Sequence, residues 1–210
     1  MRVRVERLAR VVPAVPPRRI LDGIDLELSG PGVHAIIGAN GSGKTTLLRI
    51  LALLDPPDEG AVHFDEACVA AAGGRRPARG ARRRATMIFD RPHLLRGTVR
   101  WNLDFALRAS GVPREERAAR LAALTEPLAL EQLLETRVDR ISAGEARRAA
   151  LARGLSLRAE LLLLDEPTAN LDPLSAAVVE KAIAELATKR ETTVVLATHD
   201  LAQARRALRQ

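Results

Sequence analysis

The chain has 210 residues, of which 47% are hydrophobic, enough for one substantial core that contains both helices and strands. Only 2% are aromatic, so the core is predicted to be aliphatic, and a single cysteine, Cys68, excludes an internal disulfide. The formal net charge of +7 is scattered and lacks aromatic residues on which bases could stack, so we expect no nucleic-acid partner. No run reaches the ~18 apolar residues that cross a bilayer, and the first residues lack the apolar segment of a signal peptide.

The first thirty residues predict a small antiparallel β layer. Val3 and Val5 alternate with polar residues, and a similar pattern runs from Ile20 to Leu28. The stretch Val11 to Pro17 between them is too rich in proline for a helix or a central strand, and it is interpreted as a loop.

A glycine-rich stretch follows the apolar run Val33 to Ile37 and precedes a second apolar run that predicts a helix. It matches the pattern G-x-x-x-x-G-K-[ST] and comprises Gly38, Ala39, Asn40, Gly41, Ser42, Gly43, Lys44, Thr45 and Thr46. The glycines let the backbone turn its N–H groups toward an anion, and the helix N-terminus adds further donors. Lys44 supplies a charge for the outer phosphates and Thr45 a hydroxyl ligand for Mg²⁺. The stretch therefore predicts a nucleoside triphosphate site.

A basic run from Arg75 to Arg84 has two interpretations. It could be an arm that binds nucleic acid, but a solvated connector leading into the strand Thr86 to Phe89 is favoured. Residues 90–140 are then predicted to form a mostly helical insertion, in which Pro113 lies at an early helical position and Pro127 interrupts a leucine pattern.

The last third alternates helices and strands. Ser142 and Glu145 have capping-box spacing at the start of a helix. A buried strand, Leu161 to Leu164, ends at Asp165 and Glu166, and Asp172 can cap a further helix. The last strand, Thr193 to Ala197, is followed by His199. This alternation predicts an α/β fold with a mostly parallel sheet.

Taken together, these motifs resemble the nucleotide-binding subunit of ABC transporters over essentially the whole chain. Residues 38–45 resemble the Walker A motif, residues 161–165 Walker B, residues 141–145 the family signature and residues 169–172 the D-loop. The resemblance implies a single P-loop NTPase domain over 1–210, with the core and the β layer in 1–89 and 141–210 and the inserted helical subdomain in 90–140.

The resemblance also implies roles for individual residues. Asp165 would hold Mg²⁺ through water, Glu166 would be the catalytic base, and His199 would hold the γ-phosphate. Ser142, Ala143 and Gly144 would face the γ-phosphate of an opposing subunit, because the signature cannot reach its own phosphate loop. Asp172 belongs to the D-loop, although helix capping by itself explains an aspartate there.

Three features depart from the family pattern. Asp90 stands where the family has glutamine. Asp90 is a further candidate metal ligand, and its negative charge is expected to oppose closure of the site. Removing that charge, for instance by Asp90→Gln, is therefore expected to raise the hydrolysis rate. Ala143 replaces the first glycine of the signature. The aromatic residue that stacks on adenine is absent, and Val15 is the nearest position.

The function implied is ATP hydrolysis, with ATP and Mg²⁺, that drives import through separate transmembrane permease subunits. The expected partners are a second cassette, which forms an ATP-sandwich dimer, the permease and a solute-binding protein. The expected location is cytoplasmic, on the inner face of the cell membrane. Two alternatives stay open: a non-transport cassette ATPase that acts on ribosomes or DNA, and a regulatory subunit with impaired hydrolysis.

Overall fold

The computed structural model describes residues 1–74, 76–189 and 191–208, so Arg75 of the basic run lies outside the described residues. Within these ranges the strands are β1 (Val3–Val12), β2 (Arg18–Leu28), β3 (Gly32–Ile37), β4 (Glu59–Phe64), β5 (Ala67–Ala71), β6 (Ala85–Ile88), β7 (Leu161–Asp165) and β8 (Thr193–Thr198). The helices are α1 (Lys44–Leu51), α2 (Arg79–Arg83), α3 (Val99–Ala109), α4 (Arg114–Thr125), α5 (Ala143–Ser156), α6 (Pro173–Lys189) and α7 (Leu201–Leu208). None of the helices described here has the length and apolar character needed to cross a membrane.

The predicted antiparallel layer is present, with strand order β2-β1-β4-β5. The strand β1 continues to Val12, into the segment predicted as a loop, because Val11 and Val12 pair with Arg19 and Arg18 of β2. The Val11 N–H also donates to an Asp58 carboxylate oxygen at 2.7 Å. The prolines that motivated the loop prediction all lie beyond this strand.

The second sheet is parallel, with strand order β3-β8-β7-β6. Every residue of β7 and β8 is buried, as expected for central strands covered on both faces. The carboxyl ends of parallel strands meet at one edge of a sheet, where ligands of α/β proteins bind. The residues that follow β3, β6, β7 and β8 therefore converge at that edge.

Two largely aliphatic cores cover the two faces of the parallel sheet, and the first also contains Phe64. On one face α1 packs between the two sheets, with Leu48, Ile50 and Leu51 fully buried. On the other face Leu103 of α3 belongs to the same buried cluster as Leu164 of β7. The helical insertion therefore shares a buried core with this face of the parallel sheet, and its helices α3 and α4 pack on α5.

The α/β fold prediction is confirmed, with its parallel sheet, small antiparallel sheet and flanking helices. Within residues 90–140 the chain forms α3, α4 and two short 3-10 turns, Glu131–Leu133 and Val138–Arg140. Pro113 is the N-cap of α4 rather than its first residue, because its backbone is still extended, with φ −55° and ψ 146°. The division into a core and an inserted subdomain stays a prediction.

Candidate active site

The glycine-rich loop connects β3 to α1 and turns through two residues in the left-handed region, Gly41 at φ 79° and Gly43 at φ 96°. Gly43 also approaches β2 closely, since a β-carbon there would lie 3.0 Å from the Ile20 carbonyl oxygen. Gly43 is the N-cap of α1 and has no side chain to bind the first N–H groups of the helix. These N–H groups, together with the positive end of the helix dipole, are therefore available to an anion.

Lys44 is 8% exposed and lies across this loop. Its ammonium group donates to the carbonyl oxygens of Gly38 at 2.7 Å and Ala39 at 3.1 Å, and it lies 3.6 Å from Glu166 Oε1. The charge predicted to meet the outer phosphates is thus held at the loop by the loop's own backbone.

Asp165 follows the buried Leu161–Leu164 run and is itself only 2% exposed. Its Oδ2 accepts a hydrogen bond from the Thr45 hydroxyl at 2.7 Å, and its Oδ1 is buried with no hydrogen-bond partner in the part of the chain that the structure describes. Burial raises the pKa of Asp165, the Thr45 hydrogen bond lowers it, and the nearby charges of Asp90 and Glu166 raise it again. A cation bound beside this carboxylate would satisfy the free oxygen and offset the cost of burial.

The oxygen atoms of Thr45, Asp165 and Asp90 fit Mg²⁺, which prefers hard oxygen ligands. Among the described residues no cluster of three or more His, Cys, Asp and Glu side chains has the geometry of a metal site. Mg²⁺ usually takes only one or two carboxylates from the protein and completes its shell with water and substrate phosphates.

Asp90 is the second residue after the end of β6 and is exposed, with its Oδ1 accepting the Arg91 N–H at 2.8 Å. It lines a cavity of about 350 Å³ together with residues of the loop and the ends of β2 and β7. The lining residues are Arg18, Ile20, Asn40, Gly41, Gly43, Lys44, Thr45, Thr46, Asp90, Asp165 and Glu166. A larger cavity of about 570 Å³ lies at the opposite ends of the strands and contains none of the predicted site residues.

Glu166 and His199 lie together at the ends of β7 and β8. Glu166 Oε1 accepts from the backbone N–H of His199 at 3.0 Å and lies 2.9 Å from His199 Nδ1, while Oε2 accepts from the Thr198 hydroxyl at 3.2 Å. Glu166 has a positive φ of 46°, so its backbone turns sharply out of the strand. The carboxylate is therefore oriented by several donors before any substrate is bound.

The signature residues form a separate cluster and do not line this cavity. Ser142 and Glu145 make the full capping box at the start of α5, with the Ser142 N–H to Glu145 Oε2 at 2.7 Å and the Glu145 N–H to Ser142 Oγ at 3.3 Å. Asp172 caps α6 by accepting from the Ser175 N–H at 3.0 Å, and this contact is the main cause of its lowered pKa. Gly144 faces Ser175, where a β-carbon would lie 2.7 Å from the serine hydroxyl, so a larger residue here would require the Ser175 side chain to shift.

The sequence analysis did not identify four residues that line the site or contact it. Arg18 and Ile20 line the cavity because β2 runs behind the loop, whereas the side chain of Val15 is fully exposed and does not line it. Thr198 binds Glu166, and Arg147 is buried in α5 beside two of the site's loops. Only the position of Thr198, one residue before His199, gave a signal in the sequence.

Comparisons with known proteins identify the family of the chain. The family model described as "ABC transporter" matches residues 21–169. The tungstate uptake system ATP-binding protein TupC of Peptoclostridium acidaminophilum is 34% identical over 89% of this chain and 83% of its own length. The lipoprotein-releasing system ATP-binding protein LolD 2 of Chlorobaculum tepidum is 37% identical over 90% of this chain and 79% of its own. The ATP-binding cassette MJ0796, solved as a dimer in a post-hydrolysis state with ADP and Pi, aligns with a TM-score of 0.84 and 26% identity, covering 98% of this chain and 91% of that one.

Proposed function

The chain belongs to the ABC transporter family as an ATP-binding ATPase subunit, and we propose that it drives the import of a solute through separate permease subunits. The observation that carries the proposal is the convergence of Lys44, Thr45, Asp165 and Glu166 on one cavity at the carboxyl edge of the parallel sheet. Each of these residues is held in place by a hydrogen bond or ion pair described above.

In the proposed mechanism the loop N–H groups and Lys44 bind the phosphates of ATP. Thr45 and Asp165 would hold Mg²⁺, with Asp90 as a third candidate ligand. When bound, the ion would neutralise charge on the β- and γ-phosphates. Glu166 accepts a proton from the water that attacks the γ-phosphate, because its carboxylate is oriented by His199 and Thr198. His199 is 2.9 Å from this carboxylate and can contact the γ-phosphate from the same side.

The separation of the two clusters supports a dimer. Ser142, Ala143 and Gly144 lie at the exposed start of α5, where the N–H groups of the helix can bind a phosphate, but they do not line the cavity of their own chain. We propose that they complete the site of a second cassette, as in a sandwich of two chains around two ATP molecules. The dimeric, ADP-bound neighbour described above supports this arrangement.

The direction of transport and the cellular location of the chain are proposals that the names of the relatives support. One relative is named for tungstate uptake and another for lipoprotein release, so the nucleotide chemistry is shared while the cargo differs. We propose import, with the chain on the cytoplasmic face of the membrane against its permease and, in the full system, a solute-binding protein.

The test of this function is Lys44→Ala, assayed by equilibrium ATP binding and by phosphate release. The variant should lose useful ATP affinity, because the β- and γ-phosphates would lose their paired charge and the loop carbonyls of Gly38 and Ala39 their donor. Lys181→Ala, a change to an exposed lysine of α6, is the matched control and should bind ATP like the wild type. Affinity near the wild-type value in Lys44→Ala would overturn the site assignment.

A regulatory subunit with impaired hydrolysis is the second candidate, favoured by Asp90 and Ala143. Phosphate release by the purified chain with its membrane partner separates the two candidates. Turnover that depends on Glu166 supports the ATPase, whereas ATP binding with no phosphate release supports the regulatory subunit.

A further inference from the structure

A tryptophan and a phenylalanine form an exposed aromatic pair on α3. Trp101 is 39% exposed and Phe105 is 40% exposed, and their rings stack with centroids 5.2 Å apart and an interplanar angle of 20°. The Trp101 ring also contacts Gly97, where a β-carbon would lie 3.0 Å from it. The chain has one Trp and three Phe residues, so two of these four large rings lie together at the surface. Such rings are typical of surfaces that meet a partner or a membrane interface.

A basic groove of about 520 Å³ lies between α3 and α4. Its lining contains four arginines, one acid and two apolar residues: Arg100, Arg108, Arg114, Arg117, Asp104, Ala118 and Leu121. Asp104 pairs with Arg108 at 3.0 Å and lies 3.9 Å from Arg117. Glu116 of α4 does not line the groove and pairs with Arg120 instead. The groove therefore carries a net positive charge.

The aromatic pair and the groove share one side of α3. Trp101, Phe105 and Arg108 follow each other at i, i+4 and i+7, the spacing of a single helix face, and Arg108 also lines the groove. The turn after α3 contains Gly111, where a β-carbon would lie 3.8 Å from Arg83 Nη2. Arg83 is exposed and belongs to α2, the helix that the basic run forms. The described part of the basic run therefore ends beside this side of α3 and adds its charge there.

We propose that this basic aromatic face, formed by Arg83, Trp101, Phe105, Arg108 and Arg114, binds the surface of a membrane that contains anionic phospholipids. Guanidinium groups bind phosphate oxygens with two parallel hydrogen bonds, and clustered arginines are attracted to anionic lipid. Trp and Phe rings are favourable at the level of the head groups. The proposal goes beyond the proposed ATPase function and requires no bound nucleotide.

The arrangement of the two rings favours lipid over nucleic acid, the other polyanion that a basic surface attracts. A base binds by stacking on an open ring face. Here one face of each ring is covered by the other ring, and Gly97 contacts the Trp101 ring as well. Insertion among head groups needs only apolar ring surface, which the pair still exposes.

The fluorescence of Trp101 tests the proposal, because Trp101 is the only tryptophan of the chain and its emission reports on this face alone. The full-length, nucleotide-free protein is titrated with phosphatidylcholine vesicles that contain about one third phosphatidylserine. We expect a blue shift of the emission and quenching by brominated lipid. Binding should be at least ~25-fold weaker to pure phosphatidylcholine vesicles. It should also be lost in ~1 M salt, where the Debye length is only ~3 Å.

A pair of double variants separates this face from the net charge of the chain. Arg83→Gln with Arg114→Gln should weaken vesicle binding about 25-fold, since each arginine near the surface contributes about fivefold. Lys181→Gln with Arg205→Gln removes the same charge from exposed positions of α6 and α7 and should weaken binding less than about twofold.

Phe105→Ser keeps the reporter and should weaken binding about fivefold, with a smaller blue shift. The substituted side chains are exposed, so each variant should fold and hydrolyse ATP within about twofold of wild type.

Equal losses in the two double variants would overturn the proposal, because the net charge alone would then explain vesicle binding. It would also be overturned by vesicles that leave the Trp101 emission unchanged while single-stranded DNA or poly-glutamate shifts it. DNA would then assign the face to nucleic acid, and poly-glutamate would assign it to an acidic protein segment. None of these results affects the ATPase function, which the ATP affinity of Lys44→Ala tests separately.

Discussion

Glu166→Gln should slow ATP hydrolysis by at least ~100-fold, the usual contribution of a general base, while ATP binding stays within about threefold of wild type. The reason is that an amide has the shape of the carboxylate but cannot accept the proton of the attacking water. A chain that binds ATP and cannot hydrolyse it should also accumulate as an ATP-bound dimer, because hydrolysis is the step that reopens the proposed sandwich.

The contacts of Glu166 indicate that the substitution should leave the fold intact. A glutamine oxygen in place of Oε1 keeps the acceptor for the His199 N–H at 3.0 Å. The amide nitrogen then faces the Thr198 hydroxyl, which must accept instead of donate; that oxygen already accepts from the Asp200 N–H at 3.0 Å and retains a second lone pair. The number of hydrogen bonds is thus kept, and the main loss is the negative charge that faces the Lys44 ammonium at 3.6 Å.

The assay combines single-turnover phosphate release at saturating Mg-ATP, equilibrium ATP binding and gel filtration with ATP. Glu180→Gln, which removes a surface carboxylate of α6, is the matched control and should hydrolyse ATP like the wild type. A rate for Glu166→Gln within about threefold of wild type would refute the base assignment. A monomer at saturating ATP would count against the sandwich dimer.

Three further substitutions test other parts of the site. Asp165→Asn should raise the Mg²⁺ concentration needed for ATP binding, yet raise the Tm of the nucleotide-free protein at neutral pH. The reason is that burial raises the folded-state pKa of Asp165 and so disfavours its charged form. Below the unfolded-state pKa the carboxyl group is protonated in both states, so the gain in Tm should vanish at acidic pH. A gain in Tm that persists there would contradict this reasoning. Ser142→Ala removes the cap of α5 and should lower the free energy of unfolding in urea by about 0.5–2 kcal/mol. Thr98→Ala is the matched control and should have a similar cost, because the Thr98 hydroxyl caps α3 by accepting the Trp101 N–H at 3.1 Å. Only Ser142→Ala should also weaken the ATP-dependent dimer, and equal dimerisation of both variants would reduce Ser142 to a structural cap. Arg18→Ala should weaken ATP binding about fivefold but leave tripolyphosphate binding unchanged if the guanidinium stacks on the base, and equal losses for both ligands would assign it to the phosphates.

The sequence by itself determined the elements whose signals are local. The glycine-rich loop, its lysine and threonine, the buried strand that ends in Asp165 and the capping box at Ser142 all depend on residues close together in the chain. Alternating helices and strands then indicated a parallel sheet, and the carboxyl edge of such a sheet brings the loop, Asp165 and His199 together.

The tertiary structure decided which side chains outside the motifs reach the site and which backbone groups they bind there. Arg18 and Ile20 reach the cavity because β2 crosses behind the loop, a packing of one sheet on another that no local pattern records. Arg147 binds carbonyl groups 58 and 22 positions away in the chain, so its contact with the two loops beside the site was invisible in the sequence. Backbone carbonyl groups are present at every position and leave no mark on composition or spacing, and a buried cation that binds them is recognised only when the chain is folded.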